Sequence, residues 1–69
     1  MVSIDRNATV AAASKLMRAA KVDELLVTEK IAGSPVPKGV VSARDIVLRV
    51  LGVDLDPAVF TVGDLLWQR

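Results

Sequence analysis

The chain has 69 residues, 52% of them hydrophobic, with nine basic and eight acidic side chains leaving a net charge of +1. That length allows one small domain, and the absence of cysteine and histidine excludes disulfides and the usual zinc ligand sets. Charge is spread evenly and only Phe60 and Trp67 are aromatic, so the clustered cationic footprint of a nucleic-acid binder is absent. In chain order, Val2-Ser3-Ile4 alternates apolar and polar and predicts a short strand. Asp5-Arg6-Asn7 reads as a turn. Thr9 is a good N-cap for an alanine-rich helix of roughly three turns. Val10, Ala13, Met17 and Ala20, with Leu16 beside them, form its apolar face, opposite Ser14, Lys15, Arg18 and Lys21.

Leu25-Leu26-Val27-Thr28 reads as a strand whose continuous apolar character predicts burial on both faces. Glu29 to Lys38 holds Gly33, Ser34, Pro35 and Pro37 and is expected to be a loop, too proline-rich to extend either flanking strand. Gly39-Val40-Val41 is the next strand, and the two strands are expected to form an antiparallel hairpin with a long connection. Ser42 opens a second helix. Ile46, Val47, Val50 and Leu51 form its apolar face, with Leu48 at the rim and Gly52 as the stop. Asp54-Leu55-Asp56-Pro57 is a turn, and Thr61-Val62-Gly63-Asp64 starts a last short helix carrying Leu65, Leu66 and Trp67.

The octapeptide Gly39-Val40-Val41-Ser42-Ala43-Arg44-Asp45-Ile46 is the most informative stretch. It puts a hydroxyl, a guanidinium and a carboxylate at one strand-to-helix junction. Ser42-x-x-Asp45 has capping-box spacing, although Asp is shorter than the preferred Glu or Gln. Asp45 also stands four residues before Arg49, an ion-pairing distance on a helix. Arg44 sits in the first turn, where a cation opposes the helix dipole. From spacing alone the junction reads first as a capped helix, since capping boxes are common, and second as a place for a sugar and a phosphate.

Taken together, Thr9-Val10, Ala12-Ala13 and Leu16-Met17, then Val22 with Leu25-Leu26-Val27, then the octapeptide and Thr61 to Leu66, resemble a CBS domain (the cystathionine β-synthase regulatory repeat). The likeness covers nearly the whole chain. It implies an α+β fold of the order β-α-β-β-α, with a short sheet packed on two helices. Residues 1–60 are then a single repeat, and 61–69 a linker helix leading out of it. Such repeats pack in Bateman-type pairs, so a homodimer or an adjacent repeat of a longer parent protein is the expected partner. The trailing helix favours a fragment of a longer chain.

In the family, clefts between paired repeats bind AMP, ADP, ATP or S-adenosylmethionine as regulatory ligands, and no cofactor is required. By that resemblance Asp45 accepts from the ribose, Ser42 touches ribose or phosphate, and Arg44 reaches phosphate. Lys38 adds charge nearby or is simply solvated. Val2, Val22 and Val40 are the apolar candidates against adenine, and each is equally a core candidate. Asp23 and Glu24 depart from the small or neutral residues expected there. They would repel phosphate, or accept from an adenine amino group or a ligand ammonium.

Leu48, Leu51, Leu65, Leu66 and Trp67 are candidates for a helix-face interface, where Trp is favoured as an anchor. The alternative function is structural dimerisation with no ligand at this repeat. Catalysis is not expected, because neither His nor Cys is present and no nucleophile–base pair stands out. No apolar run approaches the roughly 18 residues of a membrane span and no signal peptide is visible, so a soluble cytoplasmic module is expected.

Overall fold

The structure, a computed structural model, describes residues 1–66. Strand β1 (Ser3–Asp5), helix α1 (Val10–Ala20), strands β2 (Glu24–Ile31) and β3 (Ser34–Ser42) and helix α2 (Ala43–Arg49) follow in order. A single 3₁₀ turn (Leu51–Val53) and helix α3 (Val62–Leu66) complete the described residues. This is the expected α+β arrangement. The sheet has the order β1-β2-β3, with β1 parallel to β2 and β2 antiparallel to β3.

Helix α1 begins where Thr9 Oγ1 accepts from the Ala12 N–H at 3.0 Å, which satisfies one orphan amide of the first turn. The Val10 and Ala11 amides donate to the Phe60 and Pro57 carbonyls at 2.8 and 2.9 Å. The segment before α3 therefore serves as part of the cap of α1. Val10, Ala13 and Met17 are buried, as their helical spacing predicts, whereas Ala20 in the last turn is exposed.

The hairpin differs most from expectation. Glu29 to Lys38 is not a long loop. The β2–β3 ladder continues through Thr28↔Pro37, Glu29↔Val36, Lys30↔Pro35 and Ile31↔Ser34, leaving only Ala32 and Gly33 as the turn. Both have positive φ, 52° and 81°, the signature of a type I′ turn whose twist matches the strands. The prolines are tolerated because β3 is an edge strand. Two residues apart, they put both nitrogens on one side of the strand, and an edge has a side with no ladder to supply. A register shift between Val27 and Thr28 makes Lys38 the extra, bulged residue of β3.

Ala32 is an L-residue with a side chain in the left-handed region, which costs about 1–2 kcal/mol and which Asn tolerates better. Ala32→Asn is expected to stabilise the fold by about 0.5–1 kcal/mol. A thermal melt should show a midpoint rise of roughly 2–8 °C; an unchanged or lower midpoint would contradict the turn assignment.

The core joins Val10, Ala13 and Met17 to Leu25, Val27, Val41, Ile46, Val50, Val62 and Leu65. Alternation along the strands puts Leu25, Val27 and Val41 on one sheet face, covered by the helices. The opposite face holds Leu26, half-buried, and its ladder partner Val40, 37% exposed. So β2 is fully buried on the helix-covered face at Leu25 and Val27, while on the other face Thr28 is buried but Leu26 only half-buried. Of the apolar face expected for the second helix, Ile46 and the C-cap residue Val50 are buried in the core, while Val47 and Leu51 are exposed. The α-helix ends at Arg49 and tightens to 3₁₀ at Leu51, which turns Leu51 away from the core.

Helix α3 is stitched to the body. The Val62 and Gly63 amides donate to the Ala8 and Arg6 carbonyls, both at 2.9 Å. Val62 and Leu65 are buried, so Leu65 is a core residue and not a candidate for the outer helix face. Leu66 lies over Gly39, where a Cβ would stand 2.9 Å from Leu66 Cδ2. The glycine that opens the octapeptide thus makes room for α3. Trp67 lies outside the described residues.

Candidate functional site

Three segments meet at one end of the sheet. Glu24, the first residue of β2, pairs with Ser42, the last of β3. The Ala43 amide at the start of α2 donates to the Asp23 carbonyl at 2.8 Å, and the Leu26 amide donates to the Val2 carbonyl at 2.9 Å. Beside this junction lies an open cavity of about 520 Å³ lined by Met1, Val2, Val22, Asp23 and Glu24. It offers valine side chains as an apolar wall and two carboxylates at its rim.

The octapeptide ends at the same end of the sheet. Ser42 Oγ accepts from the Asp45 amide at 3.0 Å, and Asp45 Oδ2 accepts from the Ser42 amide at 3.1 Å. The capping box expected from spacing is present. It does not exhaust Asp45, because a carboxylate has about four lone-pair sites. Oδ1 faces Arg49 Nη1 at 3.9 Å, and the Asp45 side chain is still 37% exposed. An ionised, partly exposed acceptor with unused lone pairs is suited to a vicinal diol, and charged acceptors make the stronger hydrogen bonds.

No protein-family model and no curated protein matches the chain. Solved structures do. Over 94% of its length it matches Hypoxic Response Protein I, a structure with two coordinated zinc ions, at a TM-score of 0.84 and 28% identity, covering 52% of that chain. A hexameric CBS-CP12 protein from bloom-forming cyanobacteria matches 94% of it at a TM-score of 0.79 and 35% identity, with 36% of that chain covered. A CBS domain protein from Pyrobaculum aerophilum, complexed with AMP, matches 93% of it at a TM-score of 0.78 and 26% identity, with 47% of that chain covered. The chain folds as a CBS domain. It spans about half or less of the length of each of these three structures.

Within the CBS fold the seven residues singled out from sequence divide into groups. Val2, Val22 and Asp23 line the cavity together. Ser42 and Asp45 stand at the same sheet end, locked to each other rather than lining the cavity. Arg44 is exposed on the first turn of α2 and makes no hydrogen bond or ion pair among the described residues. Val40 sits on the open sheet face opposite Leu26, away from the cavity lining. Lys38 is not at this end: it pairs with Glu29 at 3.5 Å, beside Arg6, which reaches Glu29 at 3.3 Å. Those residues and Leu66 border a second hollow of about 250 Å³.

Sequence reasoning missed Met1 as a lining residue, because a chain end carries no periodic signal. It also missed the second contact of Arg49, whose Nη2 donates to the Leu65 carbonyl at 2.8 Å. The CBS domain holds no helix among its described residues long and apolar enough to cross a membrane.

Proposed function

We propose that this CBS domain is a regulatory module that binds an adenosyl ligand in a cleft completed by a second CBS repeat. The observation that carries the reading is the meeting, at one sheet end, of the Val2–Val22–Asp23 cavity with the Ser42–Asp45 junction. The valines suit the flat apolar faces of an adenine, Asp45 the ribose diol, and unengaged Arg44 a phosphate. The AMP complex of one matching protein supports the ligand class, AMP, ADP, ATP or S-adenosylmethionine. The open sheet face around Leu26 and Val40 supports pairing with a second repeat, supplied by a homodimer or by the parent chain. The ligand acts by favouring one arrangement of the pair, to the extent that it binds that arrangement more tightly.

Asp23 and Glu24, exposed at the cavity, favour a second reading, a pairing module whose cleft stays empty. Calorimetric titration with the four adenosyl compounds separates the two, with light scattering to establish that the sample is paired. At least one compound is expected to bind saturably at or below millimolar concentration. A verified dimer that binds none of them leaves dimerisation as the function.

A further inference from the structure

We infer that Arg49 is a positioning residue, which orients the Asp45 carboxylate and carries occupancy of the site to α3. The inference rests on the adenosyl-ligand reading above and adds to it a route for regulation. One guanidinium spans two elements. Its Nη1 lies 3.9 Å from Asp45 Oδ1, and its Nη2 donates to the Leu65 carbonyl at 2.8 Å. The Arg49 side chain is only 27% exposed, so the bridge is partly shielded from solvent and salt.

An ordinary i,i+4 pair on a helix accounts for the first contact but not for the second. The fork of a guanidinium allows both at once, as a lysine ammonium would not. The Leu65 carbonyl belongs to α3, which is separated from Arg49 by 16 residues of chain. The contact therefore ties α3 to the carboxylate that the diol would use.

Asp45 Oδ2 accepts from the Ser42 amide at 3.1 Å, and Oδ1 faces Arg49 across a looser ion pair at 3.9 Å. A diol must bind to the lone pairs these donors leave, so it orders the carboxylate, and the carboxylate orders the guanidinium. The coupling is reciprocal: whatever the ligand does to α3, a firmly seated α3 does to the ligand's affinity.

The test uses the whole 69-residue chain in its paired form, and as probe whichever of AMP, ADP, ATP or S-adenosylmethionine binds in the titration. Hydrogen exchange of the α3 amides is followed with and without saturating probe. Exchange is expected to slow about five- to tenfold on binding, within the usual range of coupling between sites. In Arg49→Met the slowing should vanish and affinity should fall by a similar factor. Arg49→Lys, a milder change for folding, should keep most of the affinity and lose the α3 response. A merely structural arginine would alter stability but leave the ligand-dependent slowing intact. Wild-type binding without any change in α3, or a full response in either variant, overturns the inference alone. Absence of binding by all four compounds overturns the ligand reading itself, and the inference with it.

Discussion

Leu65→Ala is expected to lower the unfolding free energy by about 3 kcal/mol, read from urea denaturation with an unchanged m-value. Leu65 is 2% exposed and packs in the same cluster as Val62, Val10 and Leu25. Truncating a buried leucine costs the lost transfer free energy plus a cavity term. The cavity is expected to persist, because the α3 backbone is pinned by the Val62 and Gly63 amides and cannot simply collapse inward. A domain below about 80 residues rarely has more than about 3–5 kcal/mol to lose, so the variant should be largely unfolded or dependent on its partner. Leu48→Ala is the control: at 55% exposure it should cost less than about 0.5 kcal/mol in an unpaired sample. A Leu65→Ala cost below about 1 kcal/mol would mean that α3 is peripheral and that its buried position reflects little packing.

The expected helix-face interface loses a member through Leu65, and the reason is physical. The five described residues of α3 make little more than one turn, too short for spacing to say which side faces inward. Backbone bonds from residues 62 and 63 to residues 6 and 8 decide it, and such distant pairings have no local signature. Helix α1 was legible because eleven residues give the 3.6-residue period room to appear. The hairpin misled for another reason. Gly33, Pro35 and Pro37 each disfavour a strand, yet an edge position accepts the prolines and an I′ turn requires positive φ. Edge or centre is a tertiary property, invisible along the chain.

The candidate site was legible wherever the chemistry is local. Ser42 and Asp45 form the capping box that their spacing predicts, and Asp45 approaches Arg49 at i,i+4. The cavity required Val2 to meet Val22 and Asp23 through the parallel pairing of β1 with β2, and only the family resemblance pointed there. The Arg49–Leu65 bridge spans 16 residues and had no signal, since an arginine in the last turn of a helix is adequately explained by the dipole.

Asp45→Asn is expected to weaken binding of the adenosyl probe about 100-fold while leaving the fold nearly as stable as before. The two effects separate because the proposed reading gives Asp45 a second job beside its cap. As a cap it needs one acceptor for the Ser42 amide, now met by Oδ2 at 3.1 Å. Asparagine retains one such oxygen, so the stability cost should stay below about 1 kcal/mol. As a diol acceptor it needs two oxygens and the negative charge, and hydrogen bonds to charged groups contribute about 1.5–3 kcal/mol each. Losing the equivalent of one strong bond, near 2.8 kcal/mol, corresponds to about 100-fold in Kd.

Asp45→Ala removes both jobs. It should match Asn in lost affinity and add about 1 kcal/mol of destabilisation from the broken capping box. Calorimetry on both variants, paired with urea denaturation, checks the separation. If Asn binds the probe as tightly as the wild type does and Ala merely unfolds more easily, Asp45 is a cap and nothing more. The diol must then be read elsewhere, and Asp23 and Glu24, the other carboxylates at this sheet end, become the residues to substitute.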